Sequence, residues 1–308
     1  MSEKIYNSML ELVGNTPIVR LNGMSRETGA EVLAKIEYFN PMSSVKDRVA
    51  LSMIEDAENR GVLRKGSVIV EPTSGNTGVG LAFVCGIKGY KLILTMPDTM
   101  SIERRKLLKV LGAQVVLTPG SKGMKASIAK AMEIVENNEN HLILQQFENP
   151  ANPDAHVKTT AVEILNDCDG KVDIFIAGVG TGGTLTGVGK TLKKELKNVK
   201  VIAVEPDDSA VLSGDSPGPH KLQGIGAGFI SKITDLDTID EIIRAKSEES
   251  FAEARRIAKE EGIFCGITSG AVLSAARIVA SRPENKGKRI VIIIPDTGER
   301  YLSTELFN

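Results

Sequence analysis

Six short runs of β-branched and aliphatic residues, at 67–71, 91–95, 114–118, 172–176, 200–204 and 289–294, recur along the chain with longer segments between them. Parallel strands need a crossover of a dozen or more residues, usually a helix, so this rhythm predicts parallel sheet with helices on both faces. Segments such as Ser101 to Leu111 and Ser250 to Glu261 set apolar residues three and four apart among charges, as amphipathic helices do. A chain of 308 residues has room for two lobes of ordinary size and a cleft for chemistry. The run 142–146 reads as one more strand, and Phe147-Glu-Asn-Pro150 with Asn152-Pro153 then interrupts the pattern, which places a crossover between lobes there. The expected fold class is α/β, with two lobes each built on a twisted, mostly parallel sheet flanked by helices.

Charge and cysteine usage exclude several classes. The 38 Lys and Arg nearly cancel 39 Asp and Glu, a formal net charge of -1 with no long run of one sign, so nothing asks for nucleic acid or a membrane surface. Cys85, Cys168 and Cys265 stand far apart with no C-x-x-C pair, which signals neither a disulfide framework nor a zinc site, and reduced, buried thiols are expected. Glu3 and Lys4 interrupt the N-terminus, no apolar leader follows, and no stretch runs eighteen apolar residues, so a cytoplasmic protein is expected.

Three loops and one lysine carry the chemistry. Thr73, Ser74, Asn76 and Thr77 crowd one turn that follows a strand and opens a helix near Val79, more polar side chains than a helix cap requires, at an end that suits a carboxylate or phosphate. Glycines at 178, 180 and 183 match G-x-G-x-x-G, and Glu205 ends the next strand where a ribose-binding acid would sit, a pattern that taken alone fits a dinucleotide-binding oxidoreductase. Thr181 and Thr184 add hydroxyl donors inside that turn and favour a terminal phosphate instead. Gly189-Lys190-Thr191 misses Walker A spacing because Thr184 stands where a glycine is needed. Lys46 follows an Asn-Pro turn in which Ser43 or Ser44 can cap the helix; such lysines ordinarily face solvent, but Val45 and Val49 flank this one, and a desolvated amine is a nucleophile or Schiff-base former. The T-S-G at 268–270 opens another helical segment and is weak evidence by itself. Asp207 to Gly228, with Pro217, Pro219 and five glycines, is too long for an ordinary connection and reads as a functional loop.

Taken in order, S-V-K-D-R at 44–48, T-S-G-N-T-G at 73–78, G-T-G-G-T at 180–184 and T-S-G at 268–270 resemble the O-acetylserine sulfhydrylases, or cysteine synthases, over nearly the whole chain. The segment Gly218 to Phe229 looks more like this branch than like the related dehydratases or tryptophan synthase β-chains. The resemblance implies a tryptophan synthase β-like architecture, pyridoxal-phosphate fold type II, with 1–39 and 151–308 forming a larger cofactor-anchoring domain and 40–150 a smaller mobile one. It implies pyridoxal 5'-phosphate as cofactor and β-replacement of the acetoxy group of O-acetyl-L-serine by sulfide, through an α-aminoacrylate intermediate. Lys46 would hold the cofactor as an internal aldimine and then act as general base. Gly180, Thr181, Gly182, Gly183 and Thr184 would hold its phosphate, Asn76 its ring oxygen, and Ser269 would face the pyridine nitrogen. Thr73, Ser74, Asn76, Thr77 and Gln146 would take the substrate.

A serine opposite the pyridine leaves that nitrogen largely unprotonated, which favours direct β-elimination over long-lived carbanions. The resemblance further implies a homodimer, and a serine acetyltransferase C-terminal tail as partner of the 73–77 loop. Met42, Thr268 and Ser231 depart from the family pattern, and none of these departures touches an assigned role, although Met42 lies near the lysine and could alter which nucleophile or leaving group is preferred. Within the fold, the rival reading is serine or cysteine as donor, giving cystathionine or lanthionine synthesis or hydrogen sulfide release. An NAD-binding oxidoreductase leaves Lys46 and Thr73 to Thr77 without work, and the complete set of catalytic residue types argues against a non-catalytic binding protein.

Overall fold

The computed structural model describes residues 5–308; Glu3 and Lys4, read above as breaking any leader, lie outside the described residues. The strands are β1 (Ile18–Arg20), β2 (Glu31–Ile36), β3 (Val68–Pro72), β4 (Lys91–Pro97), β5 (Gln114–Thr118), β6 (His141–Leu142), β7 (Ile174–Gly178), β8 (Lys200–Pro206), β9 (Glu241–Ala245) and β10 (Arg289–Ile294). The described chain divides into a smaller unit, 5–13 with Lys46–Asn152, and a larger one, Gly14–Val45 with Pro153–Asn308. The first boundary falls between Val45 and Lys46 rather than between 39 and 40. The reason lies in backbone pairing: Val45 N–H donates to the Pro295 carbonyl at 2.8 Å, Ser44 bridges Asp296, and Arg300 donates to the Met42 carbonyl, so 42–45 are fastened to the C-terminal segment. The second boundary follows Asn152, and residues 5–13 group with the smaller unit rather than with the larger.

In the larger unit the order is β1-β2-β10-β7-β8-β9, parallel throughout except for β1, which pairs antiparallel with β2 at the edge. Side chains alternate across a strand, and both faces here are apolar. Ile174, Ile176, Ile202, Val204, Ile290 and Ile292 join one core with the helices Ser247–Glu260 and Ile267–Ala280, while Phe175, Ala177, Val201, Ala203, Val291 and Ile293 join the other with Ala161–Asp167 and Gly183–Glu195. The smaller unit holds β5-β4-β3-β6, all parallel, with the helix Gly123–Glu136 packed on β3, β4 and β5. Its helices Lys46–Asn59 and Asn76–Lys88 pack closely at Gly80, where an added Cβ would lie 2.9 Å from the Lys46 carbonyl oxygen.

Each order reverses once. In the smaller sheet the chain steps outward from β3 to β4 to β5 and returns to place β6 on the other side of β3; in the larger it steps from β7 to β8 to β9 and returns with β10 beside β7. Ligands of open α/β sheets bind at the carboxyl ends of strands where the order reverses. The 73–77 turn follows β3, and the 178–184 turn follows β7.

The run 142–146 is strand only at His141–Leu142, because Gln145 adopts a left-handed backbone (φ 60) and the next amides leave the ladder. All three cysteines are free and buried. Among the described residues no helix is long and apolar enough to cross a membrane, and no cluster of three His, Cys, Asp or Glu could hold a metal.

Candidate active site

The smaller unit carries Lys46, the 73–77 turn and Gln146; the larger carries 180–184 and Ser269. The helix after β3 begins at Asn76, before the expected Val79, so Asn76 and Thr77 stand in its first turn, where amide N–H groups lack acceptors within the helix. Thr73 Oγ1 accepts the Gly75 N–H at 3.3 Å, and Arg104 Nη1 donates to the Ser74 carbonyl at 2.5 Å. Thr77 Oγ1 donates to Gln146 Oε1 at 2.7 Å, bringing together residues 69 apart in sequence. With Oε1 engaged, the Nε2 donors are what Gln146 offers a ligand, and a carboxylate, which only accepts, is their complement.

Glu71, at the end of β3, was not anticipated by the sequence reading. Its carboxylate is buried and accepts three consecutive amides: Leu144 at 3.0 Å and Gln145 at 3.2 Å on Oε2, and Gln146 at 3.1 Å on Oε1. Burial pushes its carboxyl up to about 7, with the three amides pulling it down. A carboxyl raised on folding from 4.5 to about 7 stabilises the fold fully below pH 4.5 and loses that contribution as pH rises through 7. Wild type should therefore lose stability relative to Glu71→Gln between those limits. Paired urea melts across this range check it, and a pH-independent difference contradicts it.

Lys46 opens the helix Lys46–Asn59, half-buried between the buried side chains of Val45 and Asp47. Lys35 is the largest fully buried side chain, but its ammonium is committed: it lies 2.9 Å from Glu163 and 3.0 Å from Asp167, and donates to the Thr16 carbonyl at 2.6 Å.

In the larger unit the turn after β7 is shaped by contacts that exclude side chains. A Cβ at Gly180 would meet the Gly224 carbonyl at 2.4 Å; Gly182 has φ +81, and a Cβ there would meet Thr234 Oγ1 at 2.0 Å. Gly183 starts the helix Gly183–Glu195, whose first turn carries Thr184, and the Thr184 hydroxyl lies 3.2 Å from Nε2 of the buried His156. His156 sits in a π-helical turn, His156–Thr160, with Nδ1 2.9 Å from Thr160 Oγ1. No local motif marks it in the sequence. Ser231, set apart above as a departure with no bearing on the site, donates to the Thr181 carbonyl, so it does touch the turn. Glu205 accepts the Leu212 and Ser213 amides at 2.7 and 3.0 Å; it closes a turn of the chain, and its carboxylate is not offered to a ribose.

Ser269 lies in the first turn of Ile267–Ala280, fully buried, with an Oγ that makes no hydrogen bond. Cys265 is its polar neighbour, a weak partner outside hydrogen-bonding geometry, and burial pushes that thiol up to about 12. An unsatisfied buried hydroxyl is costly and points to a group that completes it. Taken one by one, a glycine turn at a helix start suits a phosphate, an orphaned buried hydroxyl suits a ring nitrogen and a half-buried lysine suits a Schiff base, so the residue types present fit pyridoxal phosphate.

Residues 9–296 match the family described as pyridoxal-phosphate dependent enzymes. The chain belongs to that family. It is 53% identical over 309 residues to a cysteine synthase of Staphylococcus aureus strain Mu50, covering 100% of this chain and 99% of that one. Among solved structures, O-acetylserine sulfhydrylase isoform 3 of Entamoeba histolytica superposes with a TM-score of 0.96 at 47% identity, covering 100% of this chain and 93% of that one. A hydrogen sulfide-producing enzyme of Fusobacterium nucleatum gives 0.93 at 45% identity, covering 98% and 99%. This pyridoxal-phosphate dependent enzyme thus shares the fold-type-II architecture across its full described length.

Proposed function

We propose that this enzyme makes L-cysteine and acetate from O-acetyl-L-serine and sulfide. The observation that carries the reading is the full-length likeness, 53% identical, to a cysteine synthase in a chain that keeps the ordered set of site residues. When bound, pyridoxal phosphate supplies an electron sink that allows a proton to leave the substrate α-carbon and a substituent to leave the β-carbon. Lys46 would hold the cofactor, and its amine is the base assigned to the substrate α-proton. Gly180, Thr181, Gly182, Gly183 and Thr184 take the phosphate on backbone N–H groups and hydroxyls. Asn76 hydrogen-bonds the ring oxygen. Thr73, Ser74, Thr77 and Gln146 hold the amino-acid carboxylate, and Ser269 gives the pyridine nitrogen a neutral partner.

The enzyme is read as a cytoplasmic homodimer whose smaller unit is mobile. The terminal carboxylate of a serine acetyltransferase tail is chemically equivalent to a substrate carboxylate and is assigned to the same 73–77 turn. Replacing Gln146 with alanine removes hydrogen bonds to a charged group, which contribute roughly 1.5 to 3 kcal/mol, or about ten- to a hundredfold in affinity. The expected result is weaker O-acetylserine binding at unchanged cofactor content, read by titrating the cofactor's absorbance. Loss of cofactor with unchanged donor affinity would move Gln146 out of the carboxylate site.

A further inference from the structure

Near the end of β3, just before the substrate turn, stands a buried acid to which the reaction assigns no task. Glu71 reaches three consecutive backbone amides, 144, 145 and 146, which lie 73 to 75 residues further along the chain. Those amides cannot be satisfied by sheet pairing, since β6 ends at Leu142 and Gln145 turns the chain with a positive φ. The turn is braced from its carbonyls as well: Asn149 Nδ2 donates to Leu144 O at 2.8 Å, and Asn152 Nδ2 to Gln146 O at 2.8 Å. The one polar group of Gln146 that leaves this frame is its side chain, and that meets Thr77. A circuit results. β3 leads into the 73–77 turn, Thr77 bonds Gln146, and Gln146 returns through its own amide to Glu71 on β3.

We infer that Glu71 is a positioning residue of the substrate site: its carboxylate fixes the backbone of 144–146 so that Gln146 meets Thr77 in the geometry that receives the donor's carboxylate. The inference rests on the assignment of Gln146 to that carboxylate. The identity of the acid matters, because its two oxygens accept three N–H groups here and a carboxylate accepts at both oxygens. Glutamine, of nearly the same shape, can present one oxygen to part of the set and must turn an NH2 toward the rest, where donor meets donor.

The experiment is a double-mutant cycle on holoenzyme with Glu71→Gln, Gln146→Ala and the double variant, measuring KM for O-acetylserine, kcat, cofactor content and hydrogen exchange at amides 144–146. Glu71→Gln should raise KM about tenfold, the loss of one well-made hydrogen bond to a charged group, with kcat within about twofold. Cofactor content should hold, and exchange at 144–146 should quicken. The double variant should bind no more weakly than Gln146→Ala alone, because Glu71 acts through Gln146. Additive KM effects, or an unchanged KM in Glu71→Gln alongside faster exchange, would overturn the inference. If Glu71→Gln does not accumulate as folded protein, Glu71→Asp serves in the same cycle, keeping the charge but falling short of the full set of amides. Should wild type fail to turn over O-acetylserine, the functional reading falls by that result, and the exchange measurement still decides whether Glu71 holds the turn.

Discussion

Alanine at position 46 is expected to abolish turnover, by at least about 10³-fold, and to remove the visible absorbance of bound cofactor while the protein stays folded. The expectation rests on position. Lys46 begins a helix at the start of the smaller unit's main segment, half-buried among buried neighbours. Its removal leaves the helix packing intact, since Gly80 rests on the Lys46 backbone rather than on its side chain. Lys35 cannot take over, because two carboxylates and a carbonyl already hold its ammonium. Absorbance spectra and steady-state rates of the variant check the claim, and retained colour with near-normal activity would refute the assignment.

Aspartate at position 269 should leave cofactor bound and slow acetate release by about 10²-fold, the equivalent of roughly two pKa units of differential stabilisation. Ser269 is fully buried, and its hydroxyl makes no hydrogen bond. On the assignment of Ser269 to the pyridine nitrogen, a carboxylate there favours a proton on that nitrogen, as an anion beside a titratable base does. A protonated ring withdraws electrons more strongly and lowers the drive to expel acetate. Alanine at the same position removes a neutral contact and should cost only a few-fold, as expected for one neutral hydrogen bond. Rapid mixing of each variant with O-acetylserine, followed by cofactor absorbance and acetate, separates the cases. Wild-type rates in the Asp variant would mean that Ser269 does not face the ring nitrogen.

What the sequence made legible follows how local each signal is. The runs at 114–118 and 289–294 match β5 and β10 residue for residue, because a strand buried in parallel sheet announces itself as continuous β-branched sequence. β2 was missed because Lys35 interrupts it; that lysine is buried only by virtue of Glu163 and Asp167, which local reading cannot supply. β1 has three residues and pairs antiparallel at an edge, too short to show a period. β9 was also missed, its Glu241 and Arg244 masking an apolar centre. The strand expected over 142–146 failed for the opposite reason: Leu-Ile-Leu is apolar, but Glu71 takes the amides that a strand would have given to a neighbour.

The site was legible in parts. Motifs confined to one turn, at 73–77 and 180–184, declare themselves through crowded hydroxyls and glycines. Gln146 entered through family likeness alone, and the structure sets it beside Thr77 through the bond from the Thr77 hydroxyl. His156, Ser231 and Glu71 act across 28, 50 and 73 residues or more, and no local pattern marks them. Glu205 shows the reverse hazard, a well-placed acid whose spacing suggested a ribose and whose carboxylate instead closes the turn at 212–213.

The most direct test of the account is a product assay on purified holoenzyme given sulfide together with O-acetyl-L-serine, L-serine or L-cysteine in parallel. The account predicts L-cysteine and acetate in equal amounts from O-acetylserine, at a rate well above any product formation from the other two donors, and none of it in Lys46→Ala. Absence of cysteine from O-acetylserine, or faster turnover of serine or cysteine than of the acetylated donor, would contradict it.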